Sequence, residues 1–303
     1  MHFNITKIDS QKGKIAIVTG ANTGLGKEIT LALAKLEVKV IMACRNLQKA
    51  KKTQLEILKE VPTASLELME LDLNSLTSVR SFAHSFCAQY QQLNMLIENA
   101  GIMIPPFTKT EEGFESQLGV NYLSHFLLTN LLMPILNQTE GARIATTSSI
   151  AHKTGRIDFD NLNAEKNYGK MEAYRQSKLA CLMFAYELQR RLSKTDRKII
   201  AVAAHPGVSK TNLFYNLPQF VQFLTVPLLP FFTHSPKKAA LPMLYAVLGD
   251  AVKGGDYIGP IGYRDMIGAP GKAESQPQAH DRSVAKRLWE VSEELTGQVF
   301  TIQ

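Results

Sequence analysis

The chain has 303 residues, of which 45% are hydrophobic and 20% charged, and it contains 19 glycines and 13 prolines. These fractions are ordinary for a soluble globular protein and exclude a disordered, collagen-like or low-complexity chain. The formal net charge is +7, but no basic stripe with interleaved aromatic residues occurs, which argues against a nucleic-acid partner.

The positions of the charged residues and cysteines exclude further kinds of site. The two small basic clusters are predicted to be solvated helix faces; they are Lys49, Lys51 and Lys52, and Arg190, Arg191 and Lys194. The three cysteines, Cys44, Cys87 and Cys181, lie far apart and are odd in number. They indicate neither a disulfide framework nor a zinc site, and we expect a reducing, cytoplasmic setting.

Targeting and membrane segments are not expected. Residues 1–12 have no apolar core of the kind found in signal peptides. Residues 213–232 are apolar, but three prolines and several amide side chains interrupt them, so they are not expected to span a bilayer.

Short apolar runs alternate with longer amphipathic stretches along the chain. Rich in Ile and Val, the runs predict strands at residues 14–19, 38–43, 65–71, 95–99, 143–147 and 198–205. The stretches predict helices at residues 26–36, 47–61, 76–91, 115–133, 171–192 and 282–295, with Asn46 and Ser75 as N-caps of two of them. Repeated strand–helix–strand units predict an α/β fold, a doubly wound parallel sheet in three α/β/α layers, as one domain over residues 1–303.

A glycine-rich segment, TGANTGLG at residues 19–26, directly follows the first predicted strand. Glycines in this place permit a tight turn, a close approach of backbone to a pyrophosphate, and packing of helix on strand. The N–H groups of the next helix then attract the phosphates. A glycine trio alone is equally typical of an ordinary turn, but this one lies between a strand and a helix in the first βαβ unit, which favours a dinucleotide site.

The end of the second strand bears on the choice of cofactor. An NAD site usually has an acidic residue about 20 residues beyond the glycines, whereas an arginine suits the 2′-phosphate of NADP. Here the strand ends in Met-Ala-Cys-Arg-Asn, with Arg45 and no acid. An arginine can also simply follow a strand, but its planar guanidinium matches a phosphate group. The sequence therefore favours NADP, with NAD less favoured.

Tyr174 and Lys178 lie at i and i+4 in the predicted helix after the fifth strand. This spacing places the phenol and the ammonium group on one helix face, about 5–6 Å apart at Cβ. A nearby cation stabilises a phenolate, so Tyr174 could exchange a proton near neutral pH. The spacing is common in proteins, and its position behind a cofactor loop is what indicates function.

Through these residues the sequence resembles the short-chain dehydrogenase/reductase family, over nearly the whole chain. Segment 19–26 matches the T-G-x-x-x-G-x-G loop of the family, and segments 99–101 and 205–207 match its N-A-G and P-G segments. The resemblance implies a Rossmann fold and a catalytic group formed by Asn121, Ser149, Tyr174 and Lys178. It implies a cofactor site formed by Thr19, Gly20, Asn22, Thr23, Gly24, Leu25, Gly26, Arg45, Asp72, Leu73, Asn99, Ala100, Gly101, Tyr174, Lys178, Pro206, Gly207, Val208 and Thr211.

Within the family the sequence is most similar to the branch of the retinol dehydrogenases and the WW-domain oxidoreductase. Segments A-C-R-N, S-S-I-A-H and LWEVSEELTG carry this similarity. It implies a preference for NADP and lipophilic alcohol or carbonyl substrates. One departure is Glu98, where the family more often has Asn beside the cofactor path, so an effect of this carboxylate on cofactor affinity is expected.

The implied reaction moves a hydride between NADPH and a carbonyl carbon. Tyr174 exchanges the proton, Ser149 orients the substrate oxygen, and Lys178 holds the nicotinamide ribose. Asn121 is expected to hold a water that links Lys178 to solvent. Replacing Tyr174 should abolish turnover.

Several segments admit more than one interpretation. Residues 209–235, dense in Phe, Leu and Pro, are predicted to cover a hydrophobic substrate or to pack as core, two roles that the same side chains can fill. Two roles are open for the residues directly after the N-A-G segment: they line the substrate pocket, or they pack as part of the core. These residues are Ile102, Met103 and Ile104. The helix at residues 115–133 is mostly core, and because its counterpart forms a dimer interface in many family members, a homodimer is allowed. His152, His205 and His280 lack the spacing of metal ligands, and no metal is expected.

Two other functions compete with the enzyme. One is a non-catalytic NADP-binding scaffold or sensor that acts through a protein partner. The four residues of the proton relay argue against it, since a scaffold has no need of them together. The other is a membrane-associated lipid carrier that uses residues 213–232, and such a carrier would not need the glycine loop.

Overall fold

The computed structural model describes residues 3–196, 198–207 and 235–301. Within them eight strands form one sheet in the order β3-β2-β1-β4-β5-β6-β7-β8. The strands are Ile15–Thr19 (β1), Lys39–Cys44 (β2), Leu66–Glu70 (β3), Met95–Glu98 (β4), Arg143–Thr147 (β5), Ile200–Ala204 (β6), Tyr257–Pro260 (β7) and Pro270–Lys272 (β8). Strands β1 to β7 run parallel, and β8 pairs antiparallel with β7.

The central strands are buried on both faces, as their runs of branched apolar residues predict. All five residues of β1 are buried. Because side chains alternate along a strand, Ile15 and Ile17 pack into one hydrophobic core and Ala16 and Val18 into the other. The sheet therefore separates two cores, each closed by helices.

The helices of eight or more residues in the described ranges are Gly24–Lys35 (α1), Leu47–Glu60 (α2), Leu76–Gln89 (α3), Ser124–Gln138 (α4), Lys170–Leu192 (α5), Leu241–Leu248 (α6) and Arg282–Thr296 (α7), and a short helix, Pro236–Ala239, precedes α6. Core residues of α1, α2 and α6 share one face of the sheet, and those of α3, α4, α5 and α7 share the other. The doubly wound, three-layer prediction is confirmed. Asn46 and Ser75 cap α2 and α3 with their side chains, as predicted.

Four elements were not predicted correctly. Strands β7 and β8 are short segments, YIGP and PGK, in which glycine and proline replace the expected run of Ile and Val. They are strands because β7 pairs with the edge of β6 and β8 pairs with β7, and β8 is the antiparallel strand in the otherwise parallel sheet of the described residues. Helix α6 was not predicted either. The single helix expected at residues 115–133 begins as a turn, Ser116–Leu118, passes through a π-helical turn, Gly119–Leu123, and continues past Pro134 to Gln138.

Helix α7 covers the outer side of α4 and α5. Its Trp289 is 1% exposed and packs against Phe126 and Phe184, with ring centroids 5.0 and 5.7 Å away. The Arg191 guanidinium lies 4.2 Å from the Trp289 ring centroid. Both Arg190 and Arg191 pair with Glu187 and are about one quarter exposed, so these two residues are not the solvated face expected from the sequence, whereas Lys194 of the same cluster is exposed.

The apolar stripe of α4 is core, as predicted: Leu127, Leu128 and Leu132 are fully buried. No helix of the described residues has the length and apolar character needed to cross a membrane.

Candidate active site

A cleft follows the carboxyl ends of the strands, where the chain reverses its direction of winding between β1 and β4. Open parallel sheets bind ligands at this position. Two cavities of about 450 and 490 Å³ occupy the cleft and share Gly101 and Ile102 in their walls. Both volumes fall in the usual range for small-molecule sites. The first is called the outer cavity below and the second the catalytic cavity.

The glycine loop turns sharply at the end of β1. Gly20 and Gly24 have φ values of +66° and +50°, which favour glycine. A Cβ on Gly26 would lie 2.1 Å from the carbonyl oxygen of Gly20, so only glycine lets α1 approach the loop this closely. Asn22 and Thr23 line the outer cavity, and Leu25 lines the catalytic one.

The first turn of α1 carries no side-chain cap. Thr23 stands at the N-cap position without a capping hydrogen bond, and no acidic residue lies in the turn. By contrast, Asn46, Ser75 and Asp281 cap their helices with side-chain oxygens. An uncapped N-terminus that opens on a cavity is suited to phosphate groups.

Thr19 acts behind the loop rather than in the cavity wall. Its hydroxyl accepts the N–H of Ala100 at 2.9 Å, and its carbonyl oxygen accepts the Asn99 amide at 2.9 Å. The ends of β1 and β4 are therefore tied to each other beside the cleft. Asn99 and Gly101 line the catalytic cavity, and Ala100 and Gly101 line the outer one.

The outer cavity carries the predicted cofactor residues of the adenosine half. Arg45, Asp72 and Leu73 line it, and the side chain of Arg45 is 73% exposed with its Nη1 atom 4.0 Å from Asp72 Oδ1. Lys49 lines the same cavity; it is exposed, as the predicted solvated helix face requires, and it also borders the cofactor cleft. Its place in the first turn of α2, four residues after Arg45, is the signal in the sequence that points to this cavity.

The catalytic cavity brings together Ser149, Tyr174 and Lys178. Lys178 is 4% exposed; its Nζ atom donates to the carbonyl oxygen of Thr147 at 3.0 Å and lies 5.9 Å from the Tyr174 ring centroid. The Ser149 hydroxyl accepts the N–H of Ala151 at 3.2 Å. Because that bond uses a lone pair, the hydroxyl proton is left for a ligand oxygen.

The same cavity contains an orphaned polar atom. The hydroxyl oxygen of Thr147 is buried and has no hydrogen-bond partner among the described residues. Buried polar groups are almost always paired, so this hydroxyl, the glycine cradle and the uncapped α1 fit a bound dinucleotide. Pro206 and Gly207 line the cavity on the same side.

Asn121 lies below the cavity, in the π-helical turn. Its side-chain oxygen accepts the N–H of Ile102 at 2.8 Å, and its amide donates to the carbonyl oxygen of Ile102 and to the Ser177 hydroxyl, both at 3.0 Å. A Cβ on Gly101 would lie 3.0 Å from Asn121 Oδ1 and 3.4 Å from Lys178 Nζ. Asn121 thus adjoins Lys178 and also holds the segment after β4 in place. Its role in a water relay stays a prediction.

His125 is a further buried residue that the sequence analysis did not identify. Its Nδ1 atom lies 3.0 Å from the carbonyl oxygen of Asn121, and its Nε2 atom lies 3.0 Å from the Thr19 hydroxyl. Burial lowers the pKa of His125 to about 4, so the ring is neutral at physiological pH. It joins the glycine-loop strand to the π-helical turn.

Glu98 does not lie in the cofactor path, contrary to the expectation from its sequence position. Its side chain is 1% exposed, lines neither cavity of the cleft, and accepts hydrogen bonds of 2.6 Å from Thr129 and Thr146. Alternation along β4 directs it to the face covered by α4. Burial raises the pKa of Glu98 to about 7.

The remaining predicted residues are distributed as follows. Ile102 and Met103 line the catalytic cavity, whereas Ile104 is not part of its wall. Val208, Thr211 and the substrate-covering segment 209–235 lie outside the described residues, apart from Ser235. The parts of the chain that the structure describes contain no group of three or more His, Cys, Asp or Glu side chains arranged to hold a metal ion.

The chain is similar in sequence to a known protein family and to several of its members. Residues 14–221 match the family model described as short chain dehydrogenase. The mouse protein retinol dehydrogenase 13 is 40% identical over 290 residues, covering 94% of this chain and 84% of its own. The human protein retinol dehydrogenase 11 is 38% identical over 285 residues, covering 94% and 86% respectively.

Solved structures agree with the fold. A protein of Mycobacterium paratuberculosis without an assigned function is 36% identical, with a TM-score of 0.84 and full coverage of both chains. A short-chain dehydrogenase of Escherichia coli, crystallised with NADPH, is 22% identical, with a TM-score of 0.65 and coverage of 82% of this chain and 97% of its own. At that identity the second likeness concerns the fold alone.

Proposed function

The chain belongs to the short-chain dehydrogenase/reductase family of NAD(P)-dependent oxidoreductases, and on that premise we propose that it interconverts a lipophilic alcohol and its carbonyl compound with NADP as cofactor. The observation that carries the proposal is the shared cleft. Ser149, Tyr174 and Lys178 line one cavity, and it joins the cavity of Arg45 through Gly101 and Ile102.

The cofactor preference rests on charge in the outer cavity. Arg45 and Lys49 both line it, and Asp72 is the acidic residue in its wall. A 2′-phosphate is a dianion that two cations hold more strongly than one, and a guanidinium can bind it with two parallel hydrogen bonds. NADP is therefore favoured over NAD.

When bound, NADPH supplies the hydride that reduces the carbonyl carbon. The protein supplies the proton: the Tyr174 hydroxyl gives it to the substrate oxygen as negative charge develops there. The Ser149 hydroxyl donates a hydrogen bond to the same oxygen and fixes its direction. Oxidation of the alcohol follows the same path in reverse.

Lys178 stabilises the phenolate that Tyr174 becomes. Its buried ammonium group is fixed by the Thr147 carbonyl oxygen, 5.9 Å from the Tyr174 ring. This positive charge is 4% exposed to solvent, and electrostatic interactions of a buried charge are stronger than those in water. We expect a water between Lys178 and Asn121 to return the proton from solvent.

The substrate is inferred to have hydrophobic bulk. Ile102, Met103, Ile150 and Met171 contribute apolar side chains to the catalytic cavity. The relatives named retinol dehydrogenases favour the same inference, since retinol is a lipophilic alcohol. The proposal also includes a cytoplasmic setting, which the cysteine pattern of the sequence predicts.

A panel of aldehydes, ketones and alcohols of increasing chain length tests this function. The absorbance of the reduced nicotinamide is followed with NADP(H) and with NAD(H). Turnover is expected to increase with apolar chain length and to be faster with NADP(H). Binding of NADPH without turnover of any compound would favour the non-catalytic scaffold, and faster turnover with NAD(H) would contradict the assigned role of Arg45.

A further inference from the structure

Three buried aromatic rings lie behind Ser149. His152, Tyr257 and His205 are at most 2% exposed. The ring centroids of His152 and Tyr257 are 5.2 Å apart with planes nearly perpendicular, and those of His205 and Tyr257 are 5.0 Å apart and tilted by 32°. These ring contacts connect the turn after β5 with the end of β6. Neither imidazole lines the catalytic cavity.

Hydrogen bonds assign the protons of both imidazoles. His152 Nδ1 lies 2.7 Å from the carbonyl oxygen of Ser149, which can only accept, so Nδ1 carries the proton. The N–H of Gly207 donates to His205 Nδ1 at 3.3 Å, so His205 carries its proton on Nε2. Burial lowers the pKa of both histidines, and both rings are neutral at physiological pH.

These ring contacts leave the His152 ring little freedom to move. A Cβ on Gly259 would lie 1.9 Å from His205 Nε2, so His205 presses directly on the backbone of β7. Tyr257, also in β7, then fills the space between the two imidazoles, with its hydroxyl 3.4 Å from His152 Nδ1. The position of the His152 ring is consequently set by the sheet.

The turn that carries Ser149 is also tied from outside. Lys153 forms an ion pair of 2.6 Å with Asp265, and the Gln278 amide donates to the Lys153 carbonyl oxygen at 2.9 Å. These bonds hold the far end of the turn. At the end that faces the cavity, two groups of His152 hold the Ser149 carbonyl oxygen, the backbone N–H at 3.0 Å and the ring Nδ1 at 2.7 Å, and of these the ring is the one that contacts Tyr257.

We propose that His152 is a positioning residue for Ser149: its ring, fixed by Tyr257 and His205, holds the Ser149 carbonyl oxygen and so sets the direction of the Ser149 hydroxyl. The proposal rests on the proposed function, in which that hydroxyl binds the substrate oxygen. A displacement of the hydroxyl by about 1 Å would reduce turnover by up to roughly 100-fold.

Two replacements of similar polarity test the proposal. In His152→Asn the side-chain amide occupies the place of Nδ1 and can still donate to Ser149, whereas in His152→Gln the amide lies at the place of Nε2 and cannot. With an aldehyde that the wild-type protein reduces, kcat is expected to fall roughly 10- to 100-fold in His152→Gln and to be largely retained in His152→Asn. The dissociation constant of NADPH should stay unchanged in both.

The same pair is then measured in a Ser149→Ala background. If His152 acts through Ser149, His152→Gln causes no further loss there, because residues that act as a unit are not additive. His280→Leu is the matched control: this exposed histidine bonds to Ser275 and stacks on Tyr186, and it should leave kcat unchanged.

Two results would overturn the proposal: equal kcat values for the Asn and Gln variants, or independent, multiplying losses from His152→Gln and Ser149→Ala. A failure of the proposed function has a different signature. In that case Ser149→Ala by itself would leave turnover intact, and His152 would have nothing to position.

Discussion

Glu98 lies completely buried in β4, where the hydroxyl groups of Thr129 and Thr146 each donate to one of its carboxylate oxygens. Two neutral donors offset only part of the cost of burying a negative charge. The pKa of Glu98 therefore rises from 4.5 to about 7. The folded protein binds a proton here that the unfolded chain has already released, so this residue makes stability fall as pH rises from about 4.5 to 7.

Replacing Glu98 by Gln should remove this dependence. At pH 8 we expect the variant to gain stability relative to the wild type, by an amount on the order of 3 kcal/mol more than at pH 4.5. Urea unfolding at both pH values measures it. Buried His125 and His205 have the opposite effect, since their lowered pKa values favour folding at higher pH, but they are present in both proteins and cancel in the difference. An equal difference at both pH values would contradict the assignment.

Arg45 and Lys49 can be separated from the other basic residues of α2. Replacing either by Ala should raise the KM for NADPH roughly tenfold or more, because each change removes a charge-assisted contact to the 2′-phosphate. The KM for NADH should change little. Lys52→Ala is the control, since Lys52 lies in the same helix but does not line the cavity. Equal effects on both cofactors, or an effect of Lys52→Ala as large as that of Lys49→Ala, would contradict the assignment.

At the scale of elements, α7 is held to the α4–α5 layer mainly by Trp289. The indole packs on Phe126, Phe184 and Phe300 and donates to Glu293 at 3.0 Å. Trp289→Ala is expected to cost about 3–5 kcal/mol of unfolding free energy because it leaves a large cavity. Val299→Ala, at a residue 67% exposed, should change stability by less than about 0.5 kcal/mol. Similar losses in the two variants would show that α7 is not anchored by Trp289.

Some elements of the fold follow from the local sequence, and others depend on their neighbours in space. Strands β1 to β6 could be predicted because their short apolar runs alternate with amphipathic stretches, even for β3, which has no Ile or Val and is only partly buried. The cofactor loop could be predicted because glycine spacing has a direct geometric meaning. Strands β7 and β8 could not, since four- and three-residue segments with glycine and proline become strands only by pairing with a neighbour. The π-helical turn at Asn121 likewise depends on bonds to Ile102 and Ser177 that no local pattern reveals.

Single residues of the site show the same division. Tyr174 and Lys178 are one helical turn apart, so their proximity follows from helix geometry. Lys49 enters the outer cavity, and Glu98 turns away from it, through the packing of whole layers. Near the end of a strand or the start of a helix, this packing decides on which side a residue lies. The periodicity of the sequence alone does not give that side.

At the scale of the whole molecule, the cleft is built from both halves of the sheet. Its walls take residues from the ends of β1, β2, β4, β5 and β6 and from the first turns of α2 and α5. A ligand that fills the cleft contacts all of these elements, and it can do so only in the folded state. NADPH at 100 times its dissociation constant should therefore stabilise the fold by about 2.7 kcal/mol.

Thermal unfolding with and without NADPH checks this value. The Arg45→Ala protein should need a higher NADPH concentration for the same shift in Tm. A Tm that does not respond to NADPH would mean that the cleft does not bind the dinucleotide.

The most direct measurement compares the wild-type protein with Tyr174→Phe, using NADPH and an aldehyde that the wild type reduces. Loss of the hydroxyl removes the proton donor but keeps the aromatic ring, so turnover should fall by roughly 100-fold or more, while the dissociation constant of NADPH, measured by nicotinamide fluorescence, stays nearly the same. Turnover of Tyr174→Phe at close to the wild-type rate would contradict the account.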